Sequence, residues 1–212
     1  MRTPDRNRRR SALAALCAAL IIALIVPSAG ALSANYTVLS NGTSYAASLD
    51  VSGVSRYMFA DSGMLGESIP VSVTNVSLVA ENGTPVDYNW TTQWNSPSTI
   101  SFPKGNYSLS YHAPLKDYHL QGQFHAPYNV SVYLPEGYSV KNPLLAGLST
   151  GSNVTSFADN TTLVTWKGVG SFDIRFYDPG REELLYLFAQ FMVIIAIVLL
   201  MPYVLMRKPP RL

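Results

Sequence analysis

The chain has 212 residues, 15 Lys/Arg against 13 Asp/Glu, a formal charge of +2 and one cysteine. Eight of the 15 basic residues lie in the first ten or the last six positions, so the positive balance belongs to the termini and excludes a nucleic-acid footprint. Cys17 lies in the N-terminal apolar run, which leaves the remaining chain without a disulfide, a thiol nucleophile or a Cys metal ligand.

In chain order, five arginines in the first ten residues lead into an uncharged apolar run from Ala12 to Val26 and the small residues Ala29-Gly30-Ala31. That order and length read as a signal peptide over residues 1–31, with cleavage after Ala31 and Ser33 as the next candidate. Arg9-Arg10 loosely resembles a twin-arginine signal, but so apolar a run suits the general secretion route better. An uncleaved signal anchor would instead give two membrane spans.

Residues 32–178 form the exported part, and nine of its eleven asparagines begin an N-x-[ST] triplet: Asn35, Asn41, Asn75, Asn82, Asn89, Asn106, Asn129, Asn153 and Asn160. With 33 Ser/Thr among the 148 residues from Ser33 to Gly180, roughly two or three such triplets would arise by accident. The nine are therefore read as glycosylation acceptors on a surface outside the cytoplasm. The middle residue is apolar or aromatic in six cases (Tyr36, Val76, Trp90, Tyr107, Val130, Val154) and glycine in two. On a strand the middle residue points to the face opposite its neighbours, so the first group predicts Asn outward and the apolar residue inward. The two Asn-Gly-Thr triplets predict tight turns.

Short alternating runs recur: Tyr107, Leu109, Tyr111; Tyr128, Val130, Val132, Leu134; Phe172, Ile174, Phe176. Between runs lie turn signals at Ser40-Asn41-Gly42, Glu81-Asn82-Gly83, Pro103-Lys104-Gly105, Pro135-Glu136-Gly137 and Lys167-Gly168. The pattern predicts an all-β fold, an antiparallel β-sandwich of the Ig-like kind. The apolar parity slips from Val71 and Val73 to Val76 and Leu78, which predicts a bulge or strand break near Thr74. A possible internal seam lies at residues 113–117, although one continuous sandwich is the preferred reading.

After a short linker, residues 179–183, comes a 23-residue apolar run, Leu184 to Met206, with Gln190 as its one strong polar interruption. As a helix it spans about 34 Å, enough for a single transmembrane segment. Arg207, Lys208 and Arg211 follow, so residues 207–212 are read as a cytoplasmic tail and the β-rich part as facing out. Tyr186 and Tyr203 sit near the two ends, where interfacial aromatics are expected, and Gln190 is a candidate helix–helix contact.

QFHAPYNVSVYLPEGYSVKNPLLAG, together with RFYDPGREELLYLF leading into the span, resembles an uncharacterised family of archaeal surface proteins. The resemblance covers mainly Gln121 to Leu205. It implies a signal peptide, a β-rich ectodomain and one C-terminal transmembrane helix, and it implies no activity. Pro179-Gly180-Arg181 departs at its third residue from the Pro-Gly-Phe of archaeosortase substrates, so a permanent helix is expected as the anchor.

Little catalytic chemistry is legible. Gly147-Leu148-Ser149-Thr150-Gly151 matches the G-x-S-x-G elbow, but all three histidines precede Ser149 and no strand–turn–helix is expected there. His112, His119 and His125 are spaced by seven and six residues, which matches no standard ligand set. Paired carboxylates and a phosphate loop are not identifiable, so no catalytic, cofactor or metal residue is assigned.

Two long stretches lack acceptors, Ser44 to Thr74 and Ser110 to Tyr128, and the second is rich in polar side chains. It supplies the candidate contact surface: His112, Lys116, Asp117, His119, Gln121, Gln123 and His125. The expected function is a non-catalytic structural or binding module of the cell envelope, single-pass in the cell membrane, touching lipid through one helix, with a possible envelope or membrane-protein partner and no nucleic acid. The alternative is an accessory or sensing subunit of a membrane complex, with a surface hydrolase or metal-binding protein behind both.

Overall fold

The structure, a computed structural model, describes residues 32–63, 67–94 and 96–206. The expected signal segment 1–31 and the tail 207–212 lie outside the described residues. The described chain is mostly β-sheet and ends in one apolar helix.

The strands are β1 (Leu32–Val38), β2 (Ser44–Ser52), β3 (Arg56–Met58), β4 (Ala60–Ser62), β5 (Ser68–Pro70), β6 (Thr74–Ala80) and β7 (Asn89–Thr91). There follow β8 (Thr99–Ser101), β9 (Asn106–Pro114), β10 (His119–Leu134), β11 (Gly147–Leu148), β12 (Asn153–Ser156), β13 (Thr162–Arg175) and the helix α1 (Pro179–Met206). The main sheet runs β11-β13-β10-β1-β2-β9-β6, with β12 also on β13. β3-β8-β7 form a second sheet, and β4-β5 a separate two-stranded hairpin.

The alternating runs face inward as their parity predicts. Tyr128, Val130, Val132 and Leu134 of β10, Leu109 and Tyr111 of β9, and Phe172, Ile174 and Phe176 are all buried. Phe59, Ile100 and Phe102, in or beside the smaller sheet, join the same buried cluster. Phe59 meets Tyr111 edge-on at 5.1 Å between centroids, so the segment between β3 and β4 packs on the buried side of β9.

Three features differ from the sequence expectation. Not every pair is antiparallel: β1 lies parallel to β10, with Ala34 opposite Val130 and Tyr36 opposite Val132. Side-chain parity fixes which face a strand buries but not which neighbour it takes, and the parallel register leaves both buried rows on one face. Lys167-Gly168 is no turn, because β13 continues through it. There two residues of β13, Lys167 and Gly168, stand against one on β10, Asn129, and Gly168 takes up the bulge at φ +61°. Residues 179–183 are helical, so no linker separates the sheet from the apolar run. Asp178 caps the helix, its Oδ1 accepting the Arg181 N–H at 3.0 Å, and Pro179 starts it where a missing N–H costs nothing.

The irregularity near Thr74 is present: pairing with β9 shifts between Thr74 and Ser77, with Asn75 at φ +53°. The segment at 113–117 connects β9 to β10 within a single sheet, because β1 and β2 from the N-terminal side pair between them.

Candidate functional site

All nine acceptor asparagines are exposed. Behind them Tyr36 and Val130 are buried and Val76 and Tyr107 half-buried, as a strand triplet requires, whereas Trp90 and Val154 on short outlying strands are exposed. Register places one row straight across the main sheet: Asn153, Thr165, Ser131, Asn35, Ser48, Ser110 and Ser77. Small polar side chains at every position leave this face low and solvated. The turn acceptors are pre-shaped as well. Asn41 and Asn82 each turn Oδ1 back onto the backbone N–H two residues on, at 3.1 Å.

The other end of β10 is built differently. Between Gln123 and Tyr128 lie four residues of β10 against one, Gly170, on β13, a large bulge that carries Phe124 and His125. Just before β10, Asp117 and Tyr118 both take left-handed backbone conformations, φ +52° and +54°, to close a tight turn in which the His119 N–H donates to the Lys116 carbonyl at 2.9 Å. Two glutamines then hold the β4–β5 hairpin. Gln121 Nε2 donates to the Ser62 carbonyl at 2.5 Å and Gln123 Nε2 to the Ser62 hydroxyl at 3.0 Å.

Three adjoining clefts open along this contact, of about 210, 70 and 270 Å³. Lys116, His119 and Gln121 line the first with Tyr45, Pro70 and Ile69, and Gln123 and His125 line the third with Glu67 and Ser68. Asp61 belongs to all three. Burial raises its carboxyl pKa above 3.8, with His119 and Lys116 pulling the other way. Every residue lining the three clefts comes from 44–74 or 110–128, the two acceptor-free stretches. The structure thus brings those stretches together.

Of the seven residues read as a contact surface, Lys116, His119, Gln121, Gln123 and His125 line this region. Asp117 is exposed on the turn beside it. His112 lies elsewhere, on β9 opposite Thr74, with Nδ1 3.3 Å from Asn75 Nδ2. Among the described residues no group of His, Cys, Asp and Glu is placed to hold a metal. Asp61 was missed by sequence reading, although its stretch stood out as acceptor-free.

Ser149, His119 and Asp173 are close, but in an order unsuited to proton relay. His119 Nε2 lies 2.6 Å from Asp173 Oδ2, whereas the Ser149 hydroxyl accepts the Asp173 backbone N–H at 3.1 Å. Asp173 stands on β13, with β10 and His119 on one side and the chain continuing β11 through Ser149 on the other. Ser149 therefore meets the Asp173 backbone and not the imidazole, whereas a triad needs the imidazole between hydroxyl and carboxylate.

The turn beside the cleft also holds the helix. The Arg181 guanidinium lies 4.6 Å from the centre of the Tyr118 ring, a contact worth about 0.5–1 kcal/mol where exposed. A hydrogen bond to the Asp178 carboxylate raises the Tyr118 hydroxyl pKa. The Tyr118 carbonyl accepts the Phe176 N–H at 3.0 Å. Along α1, Pro179–Tyr203 is long and apolar enough to cross a membrane, and an 18-residue apolar stretch within it is nowhere buried inside the protein. Gln190 is exposed on it, and Pro202 falls near its end.

The model of a family of unknown function, DUF5803, matches residues 32–208, and the chain belongs to that family. No curated protein matches the chain.

Proposed function

We propose that the protein is a membrane-anchored, N-glycosylated β-sandwich of an archaeal cell envelope, a non-catalytic module that binds a partner or builds the surface layer. In this reading the β domain lies outside, α1 crosses the cell membrane and the C-terminus is cytoplasmic. The sandwich rests on the apolar cluster shared by the main and three-stranded sheets. The signal peptide draws support from the family match, which begins at the first residue after the expected cleavage point.

One observation carries the proposal. All nine acceptors are exposed, and none of their triplets contributes to the three clefts around Asp61. A glycan is several times the size of a side chain, so occupied acceptors would cover the sheet face and turns and leave the clefts as the open polar surface. Photo-crosslinkers placed at Lys116 and at Ser48 in native membranes test this. A defined adduct from Lys116 and none from Ser48 is expected. Adducts from Ser48 alone would move the contact to the sheet face and defeat the proposal.

A second reading, an accessory or sensing subunit, is favoured by the turn at 116–119. Lys116 and His119 line the cleft while Tyr118, between them, holds Arg181 of α1. Binding in the cleft would then be felt at the start of the helix. Gln190→Leu should release a helix-bound partner if this reading holds; a partner retained in full would remove it.

A further inference from the structure

We infer that the turn at residues 142–146 is a second membrane contact, which places Leu144 in the interfacial layer of the bilayer beside α1. The inference rests on α1 being the membrane anchor.

Two pairings fix the height of the turn. Ser139 exchanges both backbone hydrogen bonds with Tyr177, at 3.0 and 3.1 Å, and Gly147 pairs with Arg175. Both pairings lie within four residues of Pro179, where α1 begins. The chain from 140 to 146 therefore leaves and rejoins the sheet edge at the level where the fold hands over to the helix. Lys141, Pro179 and Glu182 line one cleft of about 300 Å³, so Lys141 stands across that cleft from the first turn of α1. The apolar run starts two residues beyond Glu182, about 3 Å further along the axis. The polar layer on each side of the hydrocarbon core is about 5–7 Å thick, so this turn stands at its depth.

The turn is ordered, and it holds a leucine outward. The Asn142 N–H donates to the buried Tyr177 hydroxyl at 3.0 Å, and the Asn142 side-chain oxygen accepts the Leu144 N–H at 3.0 Å. The Asn142 carbonyl accepts the N–H groups of Leu145 and Ala146 at 3.1 and 2.9 Å. Val140 is buried beneath, yet Leu144 is 79% exposed. A single exposed leucine is ordinary on a soluble surface. Here its place decides: beside a transmembrane helix, on a turn fixed to the last buried tyrosine before it. The cap at Asp178 and the Arg181–Tyr118 contact also join helix to domain without a flexible linker, so the turn keeps its height above the lipid. Lys141, three residues before Leu144, suits such a boundary, since its stem can lie along lipid while its charge stays in the polar layer.

Site-directed nitroxide labelling of the full chain tests this in vesicles of phosphatidylcholine with one-fifth phosphatidylglycerol. Leu144→Cys, Met192→Cys and Ser48→Cys would each be made on a Cys17→Ser background, labelled, and compared by collision with oxygen and with a polar nickel chelate. All three positions are exposed, so labelling leaves packing alone. The oxygen-to-nickel ratio should be highest at 192, lowest at 48, and several-fold above the value for 48 at 144. A ratio at 144 equal to that at 48, with 192 in hydrocarbon, would overturn the inference and leave the anchor standing. A water-like ratio at 192 would overturn the anchor and the inference with it.

Discussion

The acceptor-bearing face of the main sheet and the cleft around Asp61 are built on opposite plans. The face is regular along its middle, where one row of Asn, Ser and Thr crosses seven strands in register. The cleft is irregular: it collects a bulge, two left-handed residues and a separate hairpin from segments some sixty residues apart, tied by side chains such as Gln121 to Ser62. Regular pairing gives a surface that tolerates large attachments. Interrupted pairing gives concavity, and with it somewhere to bind.

The sharpest test of the regular plan uses neighbours on one strand. Tyr36 is buried in β1, with its ring 5.0 Å from Phe172 and 5.9 Å from Tyr45, while Thr37 beside it faces solvent. Tyr36→Ala should cost about 3–5 kcal/mol, as large aromatic deletions do, and Thr37→Ala less than about 0.5 kcal/mol. Urea unfolding of the full chain in detergent measures both, and similar losses would contradict the assignment of faces. At the border between the plans, a Cβ on Gly122 would come within 2.6 Å of the buried Phe172 ring. That ring is enclosed by Tyr36, Phe124 and Trp166 and cannot simply swing aside. Gly122→Ala should therefore cost about 1–3 kcal/mol.

A smaller, local effect is expected from the tethers. Replacing Gln121 and Gln123 with Ala removes two hydrogen bonds to Ser62, each worth about 1 kcal/mol. Hydrogen exchange across the β4–β5 hairpin should quicken by about thirtyfold while the main-sheet amides keep their rates. Unchanged exchange in the hairpin would mean that other contacts hold it. The variant also affects how capture experiments are read, since loss of a partner could follow from a loosened hairpin instead of a lost contact.

The sheet face was legible because its information is local. The triplet Asn35-Tyr36-Thr37 states its own orientation through a two-residue period, and the slipped parity around Thr74 announces its own bulge. The start of α1 was written in Asp178-Pro179, a cap followed by a first-turn proline, but the apolar run beginning at Leu184 masked that signal. The cleft was legible only as an absence of acceptors. Nothing near Asp61 in sequence states that a glutamine sixty positions later will bond the adjacent Ser62, and no alternation pattern shows that β1 will lie parallel to β10. Long-range pairing is decided by the packing of whole faces, which a window of ten residues does not contain.

The smallest expected effect sets the two plans against each other through pH. Asp159 lies in the exposed turn before the acceptor Asn160, where the Thr161 hydroxyl and N–H donate to its Oδ1 at 2.6 and 3.2 Å and lower its pKa below 3.8. Those bonds favour the charged form in the folded chain. Their contribution is complete above the unfolded pKa and is lost as pH falls through the lowered folded value. Asp61 behaves in reverse, since burial raises its folded pKa, with Lys116 and His119 only partly offsetting that. Its charged form is disfavoured in the fold, so it subtracts stability above the folded pKa. That penalty fades as pH falls from there to 3.8, below which both states are protonated. Asp61→Asn should therefore raise stability at neutral pH, with the gain shrinking on acidification. Asp159→Asn should lower it at neutral pH, with the loss shrinking only below 3.8. Urea midpoints measured from pH 3 to pH 7 separate the two, and a gain from Asp61→Asn that grows towards acid would show a carboxylate stabilised in the cleft by Lys116 and His119 instead of strained by burial.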